Sequence, residues 1–130
     1  MRSGWRTLAD EWMGLADQDL ALARLAVHET SISERAFGFH VQQAIEKSLK
    51  AVIATQSHLP PSTHDLVWLI DRAGREHPFN LDDLDELSPY ASATQQPGSP
   101  SPPRHLNRER ALARALEVRV WAGHLVALTD

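Results

Sequence analysis

The chain has 130 residues, of which 42% are hydrophobic and 23% are charged, and its formal net charge is −4. This is the usual size and composition of one folded domain, which excludes collagen-like, coiled-coil and wholly disordered proteins. A protein that coats nucleic acid is normally basic overall, so the negative charge argues against that class. The absence of cysteine excludes disulfides, thiolate metal sites and cysteine nucleophiles.

We predict a cytoplasmic location and no association with membranes. No stretch approaches the roughly 20 apolar residues that a membrane span needs, and residues 1–6 lack the apolar run of a secretory signal. The whole chain, residues 1–130, is predicted to form a single domain.

Helical periodicity begins close to the N-terminus. Between residues 5 and 27, apolar side chains recur at three- and four-residue steps, the stripe of an amphipathic helix. A second helix, which Ser33 can cap, has the clearest stripe of the chain, with small and apolar residues at i, i+3, i+4, i+7 and i+8 from Val41. The prolines at positions 60 and 61 end this segment, because proline cannot continue a helix.

Two shorter helices are predicted next. Residues 62–65, Ser-Thr-His-Asp, form a capping signature for a third helix that ends at Gly74. Asn80 can cap an acidic fourth helix. The leucines of that helix are predicted to face inward: Leu81, Leu84 and Leu87.

The C-terminal part of the chain is predicted to hold one flexible loop and one long helix. The loop, rich in proline and serine, covers about residues 94–104, and the helix runs from Leu106 to Leu128 with Asn107 as its cap. No segment shows the sustained alternation of a strand. The sequence therefore predicts an all-α fold, an antiparallel up-and-down bundle of four to five helices.

The last helix is apolar over most of its circumference, more than one bundle-facing stripe requires. A surplus apolar face of this kind usually marks an interface, so we predict a homodimer. The residues of this face are Val118, Trp121, Ala122, Leu125 and Val126.

Charge is divided between two segments. Acids predominate from Asp71 to Glu86, and arginines predominate from Arg104 to Arg119. The first interpretation is that two solvated faces of opposite sign pair with each other, and the alternative is that the arginines bind an anion.

One edge of the second helix carries a row of polar residues. With about 100° of rotation per residue, His40, Gln43, Lys47 and Lys50 fall within an arc of roughly 80° beside the apolar stripe. An imidazole, an amide and two ammonium groups together suit an anion such as phosphate. The alternative is purely structural: the lysines extend along the surface, and His40 and Gln43 are satisfied at a helix junction.

A family resemblance rests on the same helix. Residues 39–51, Phe-His-Val-Gln-Gln-Ala-Ile-Glu-Lys-Ser-Leu-Lys-Ala, resemble the signature of HEPN domains (higher eukaryote and prokaryote nucleotide-binding). The preceding helix carries Ala16-x-x-Asp19-Leu20-x-x-Ala23, and Thr63-His64-Asp65-Leu66 follows in the order and spacing of the family. The thirteen-residue run is the specific part of this match.

The resemblance implies an antiparallel helical bundle and a nucleotide- or RNA-related function. Many HEPN proteins are small prokaryotic chains encoded beside a minimal nucleotidyltransferase, and such pairs act as toxin–antitoxin systems in which the HEPN partner is typically a dimer. We therefore predict a protein that binds nucleotide or RNA phosphate without a cofactor. The predicted binding residues are His40, Gln43, Lys47, Lys50 and His64. His64 is included because an imidazole near a helix N-terminus can stay neutral and donate to phosphate.

A first alternative is a metal-independent endoribonuclease toxin, which in this family uses an arginine and a histidine separated by four to six residues. Arg35…His40 and Arg119…His124 match this spacing. On a regular helix, however, a five-residue step rotates by about 140°, so Arg119 and His124 are predicted to diverge, with Arg119 paired to an acid of the fourth helix. A second alternative is a non-catalytic helical dimerisation module.

Two further sequence patterns argue against a phosphate contact that similar proteins have and against a metal site. Similar proteins carry an arginine and a tyrosine after the fourth helix, where this chain has Gln95 and Gln96, so a phosphate contact is predicted to be missing. We also predict no metal site, because the chain has no His-x-x-x-His or Glu-x-x-His pair that would fix two ligands on one element.

Overall fold

The computed structural model describes residues 3–92 and 105–130, and within them the chain is helical with no strand. The protein is an all-α helical bundle, as the periodicity predicts. The predicted loop at about 94–104 lies outside the described residues. The elements are α1 (Gly4–Ala26), α2 (Glu34–Ala54), α3 (Leu66–Ala73), α4 (Leu81–Asp85), a 3₁₀ turn (Ser88–Tyr90) and α5 (Arg108–Ala127).

Each α-helix begins after a residue whose side chain accepts a backbone N–H of the first turn. Such a cap satisfies one of the donors that a helix start leaves without a partner. The predicted caps of α2, α4 and α5 are confirmed, and α3 ends as predicted at Gly74, which is in the left-handed conformation with φ 62°. The caps are Ser3, Ser33, Asp65, Asn80 and Asn107.

Helix α2 lies at the centre of the bundle and is buried on nearly all sides, between α1, α5 and α3. The α1–α2 connection is short, and Trp12 and Asp19 of α1 contact Lys50 and Lys47 of α2 respectively, so the two helices are antiparallel. Arg108 at the start of α5 holds this connection by donating to the carbonyl of Ala26 at the end of α1 and to the carbonyls of Glu29 and Ile32 within the connection.

The prediction for the leucines of the fourth helix is wrong at one position. Leu84 and Leu87 are buried, but Leu81 is 46% exposed. Helix α4 ends at Asp85 and the chain continues into the 3₁₀ turn, so the three leucines do not share the face of one continuous helix.

The basis for a dimer interface on α5 is also wrong. Val118, Ala122 and Val126 are buried against the chain's own core. Trp121 donates its indole N–H to the carbonyl of Glu76 at 3.0 Å and packs edge-on against Phe79. The segment around Glu76 therefore covers a second side of α5, which leaves no surplus face made of the predicted residues.

The two charged segments do pair at their closest point. Asp83 of α4 accepts from Arg114 at 2.6 Å and from Arg110 at 3.4 Å. This agrees with two faces of opposite charge that neutralise each other. A cavity of about 470 Å³ adjoins these pairs, but its walls carry four acids against two arginines that already pair with Asp83, so its charge does not suit a phosphate.

Tyr90, the one tyrosine of the chain, provides a spectroscopic test of the packing. It is buried and its hydroxyl donates to Glu34 at 3.3 Å; burial, and then the charge and hydrogen bond of Glu34, raise its pKa to about 12. The folded protein thus keeps this proton where an unfolded chain, with a tyrosine pKa near 10, loses it. The stabilisation from Tyr90 is complete below about pH 10 and is lost between about pH 10 and 12.

We expect tyrosinate absorbance to stay low in the folded protein at pH 10.5, and to be more than half developed at that pH in concentrated urea. The matched variant Tyr90→Phe should show no such signal in either solvent. Half-ionisation of Tyr90 near pH 10 in the folded state would contradict the buried position.

Candidate functional site

The polar residues predicted on the second helix lie along one edge of α2, and two of the four reach the surface. His40 and Lys47 are partly exposed there, whereas Gln43 and Lys50 are buried. His64, in the segment before α3, lies beside the same helix through its contacts with Gln42 and Glu46. We call His40, Gln43, Lys47, Lys50 and His64 together the α2 edge.

A buried carboxylate on α1 holds one end of the α2 edge. Asp19 is 6% exposed and accepts from His40 Nδ1 at 2.9 Å and from the ammonium of Lys47. Residues 40 and 47 lie two turns apart on one side of α2, so a single carboxylate of the neighbouring helix reaches both.

A second buried carboxylate, Glu46, holds the other end. It is 3% exposed, and its Oε1 accepts from His64 Nδ1 at 2.7 Å while its Oε2 accepts from Lys50 Nζ at 3.1 Å. The amides of Gln42 and Gln43 also donate to Oε1, at 3.2 and 3.4 Å. Gln42 additionally donates to the carbonyl of His64 at 3.0 Å, which fixes that segment against α2.

Lys50 is not the exposed cation that the sequence pattern predicts. Its side chain is 6% exposed, its ammonium lies 5.4 Å from the centre of the Trp12 ring, and it pairs with Glu46. The prediction that Lys50 stands outside the packed part of the helix is therefore wrong. Removing it would leave Glu46 buried without its cation, so a Lys47→Ala, Lys50→Ala variant is not a test of binding alone.

The charges of the site are balanced, and each of the two imidazoles has one ring nitrogen that is not used in the contact with its carboxylate. Asp19 faces Lys47, and Glu46 faces Lys50. Both histidines use Nδ1 for their carboxylate, and within the described residues Nε2 of neither ring forms a hydrogen bond. The side chain of His64 is 59% exposed and that of His40 is 29% exposed, so solvent reaches both rings.

The residues of the arginine–histidine patterns are not brought together. Arg119 forms a two-pronged ion pair with Asp17 of α1, at 2.6 and 3.1 Å, so its partner lies on α1 and not on the fourth helix as predicted. His124 is exposed on the same unbroken helix. Arg35 donates to the carbonyl of Pro89 at 3.2 Å, whereas His40 contacts Asp19.

Sequence reasoning missed Asp19, Glu46 and Gln42 as parts of the site. A signal was present for Asp19, because an acid placed between Ala16, Leu20 and Ala23 stands on the buried side of an amphipathic helix. A charge in that position needs a partner. Asp65, by contrast, is a helix cap as the sequence indicates, and accepts from Trp68 N at 3.1 Å.

Three of the predictions concern features outside this edge. Gln95 and Gln96 lie outside the described residues. In residues 3–92 and 105–130, no group of three His, Asp or Glu side chains is arranged to hold a metal ion. No helix in the described part of the chain is long and apolar enough to span a membrane.

Comparison with protein families matches residues 9–125, nearly the whole chain, to the HEPN domain. The chain belongs to the HEPN family, and its function is in general related to nucleotides or RNA. No curated protein and no solved structure gives a significant match.

Proposed function

We propose that this HEPN protein binds nucleotide or RNA phosphate at the α2 edge. The observation that carries the proposal is that His40 and His64 are each anchored through Nδ1 to a buried carboxylate, beside the same helix, with Nε2 left over. A phosphate oxygen accepts hydrogen bonds from ammonium groups and from the Nε2–H that each of these imidazoles carries when it is protonated. Nothing within the described residues competes for these two nitrogens.

The five residues of the α2 edge divide into two groups in this proposal. His40, Lys47 and His64 face the ligand, because their side chains are at least partly exposed. Lys47 has three donors, of which the contact with Asp19 uses one. Gln43 and Lys50 are buried and bind Glu46, so they act by supporting the carboxylate that holds His64.

The binding test compares variants in which one histidine at a time is replaced by glutamine, either within the α2 edge or outside it. We expect His40→Gln and His64→Gln each to weaken binding of a labelled oligoribonucleotide about tenfold, the loss expected for one charge-assisted hydrogen bond. The control is His124→Gln, on the exposed side of α5. Fluorescence anisotropy at two salt concentrations provides the affinities, which should fall as salt rises. Equal affinities for all four proteins would refute the α2 edge as the site.

The proposal includes a biological setting that follows from family membership. We infer a prokaryotic toxin–antitoxin pair in which this chain is the HEPN partner of a minimal nucleotidyltransferase and is itself a homodimer. The dimer no longer has the support of an apolar α5 face. Light scattering at micromolar concentration should give twice the chain mass of 14.5 kDa, and a value of 14.5 kDa would contradict the dimer.

We expect no metal-free ribonuclease activity. Cleavage of RNA without a metal needs an acid–base group and a cation that converge on one phosphate. Arg119 is engaged by Asp17, and its partner in the spacing pattern, His124, diverges from it on an unbroken helix. Incubation of purified protein with total RNA in EDTA should leave the RNA intact. Cleavage that is abolished by His124→Ala or His40→Ala would overturn this expectation and favour the toxin ribonuclease.

A further inference from the structure

The α2 edge contains two carboxylate–histidine pairs built in the same way. In each pair the carboxylate is more than nine-tenths buried, the histidine is at least partly exposed, and a lysine neutralises the carboxylate. The acids stand on different helices, Asp19 on α1 and Glu46 on α2. The contact atom of the ring is Nδ1 in both cases.

We propose that Asp19 and Glu46 are positioning residues: by accepting from Nδ1 they fix the neutral tautomer and the orientation of His40 and His64, so that each ring, when protonated, offers its Nε2–H to a phosphate-bearing ligand. This inference rests on the proposed function of the α2 edge for the identity of the ligand. The geometry of the two pairs stands independently of it.

The tautomer follows from the chemistry of the carboxylate. An ionised carboxylate has acceptors only, so the proton of each contact belongs to Nδ1 of the imidazole. A neutral ring in this arrangement has a bare Nε2, and a protonated ring carries a second N–H there. Only the protonated ring can donate from Nε2 to a phosphate oxygen, because the bare Nε2 of the neutral ring is itself an acceptor.

The carboxylates are themselves held in place, which is what a positioning role requires. Asp19 is fixed by Lys47, and Glu46 is fixed by Lys50 and by two glutamine amides. Neither acid can turn away without leaving an ammonium group unpaired. Rings held this way need no ordering when a ligand arrives, and pre-organisation of this kind increases affinity.

The ring of His77 accepts at Nδ1 instead of donating there, so this histidine serves as an internal reference. The backbone N–H of Phe79 donates to Nδ1 of His77 at 3.1 Å. Nδ1 of that ring is therefore an acceptor, and its proton, when the ring is neutral, lies on Nε2. The structure thus assigns one tautomer to His40 and His64 and the other to His77.

The decisive test is the nitrogen NMR spectrum of protein labelled with ¹⁵N in histidine, recorded without ligand at alkaline pH and read where the ¹⁵N shifts themselves identify a neutral ring. Signals are assigned from His40→Gln, His64→Gln and His77→Gln variants. We expect the Nδ1–H pattern for His40 and His64, and the Nε2–H pattern for His77. An Nε2–H pattern for His40 and His64 would overturn the proposal.

Two variants of Asp19 test whether this residue positions the His40 ring or only fills space in the core. Asp19→Ala removes the acceptor, so His40 should move toward the Nε2–H form while His64 keeps its pattern, and affinity for a labelled oligouridylate should fall several-fold. Asp19→Asn keeps an acceptor oxygen and should retain the Nδ1–H form and most of the affinity. An unchanged His40 tautomer in Asp19→Ala would contradict the role of Asp19.

The two proposals fail in different ways. The tautomers of the wild-type protein are read without ligand, so the Nδ1–H patterns support the positioning role even if a variant does not fold. Failure of oligouridylate to bind the wild-type protein refutes the proposed function, and leaves the tautomer result as the measure of the positioning role.

Discussion

Replacement of Glu46 by alanine is expected to lower the free energy of unfolding by about 3–5 kcal/mol, the usual cost of removing one partner from a buried ion pair. Glu46 accepts from four side chains, and the ammonium of Lys50 lies almost fully buried against it. Without the carboxylate, that ammonium would have no ion-pair partner among the described residues. Urea denaturation followed by tryptophan fluorescence measures the loss.

Two controls distinguish a stranded charge from a general loss of packing. Glu11→Ala removes an exposed acid of α1 and should change stability by less than about 0.5 kcal/mol. The double variant Glu46→Ala, Lys50→Met removes both charges and should recover much of the loss. A decrease below about 1 kcal/mol for Glu46→Ala alone would contradict the assignment of Glu46 as a buried anchor.

Gly38→Ala is expected to lower the free energy of unfolding by about 1–3 kcal/mol, the range for overpacking a core. The ring of Tyr90 packs against α2 at Gly38, and a Cβ atom there would come within 3.0 Å of three ring carbons. The phenol ring is held by its hydrogen bond to Glu34. It therefore cannot move aside without losing that contact.

The matched control variant is expected to change the free energy of unfolding in the opposite direction. At Gly14, inside α1, an added Cβ meets no atom within 4 Å. Gly14→Ala should stabilise the protein by about 0.5–1 kcal/mol, because alanine restricts the unfolded chain and favours the helix. Thermal unfolding of both variants measures the two shifts. Stabilisation by Gly38→Ala would contradict the packing of Tyr90 on α2.

Features that depend on nearby residues could be predicted from the sequence. The cap at Asn80 and the end of α3 at Gly74 need only a few residues of context, and both are confirmed. The apolar stripe of α2 likewise predicts its burial, because the stripe is a property of one helix. The same stripe gives the azimuth of the polar residues on α2, and Lys47 is partly exposed as that azimuth indicates.

Features that depend on distant residues could not be predicted. Arg119 pairs with Asp17, which lies 102 positions away in the chain, and an acid on the fourth helix was equally compatible with its position. Lys50 lies on the polar side of α2 by rotation, but Trp12 of α1 and Glu46 cover it. Helical periodicity describes each helix alone, and does not say which neighbour closes over its polar side.

The most direct test of the central claim is an NMR titration of ¹⁵N-labelled protein with a short oligoribonucleotide, with every backbone amide observed at once. We expect the largest shift changes at residues 40–50 and 63–66, where the α2 edge lies, and none of that size at Arg119 or His124. Perturbations confined to α5 around those two residues, or no perturbation at millimolar ligand, would contradict the account.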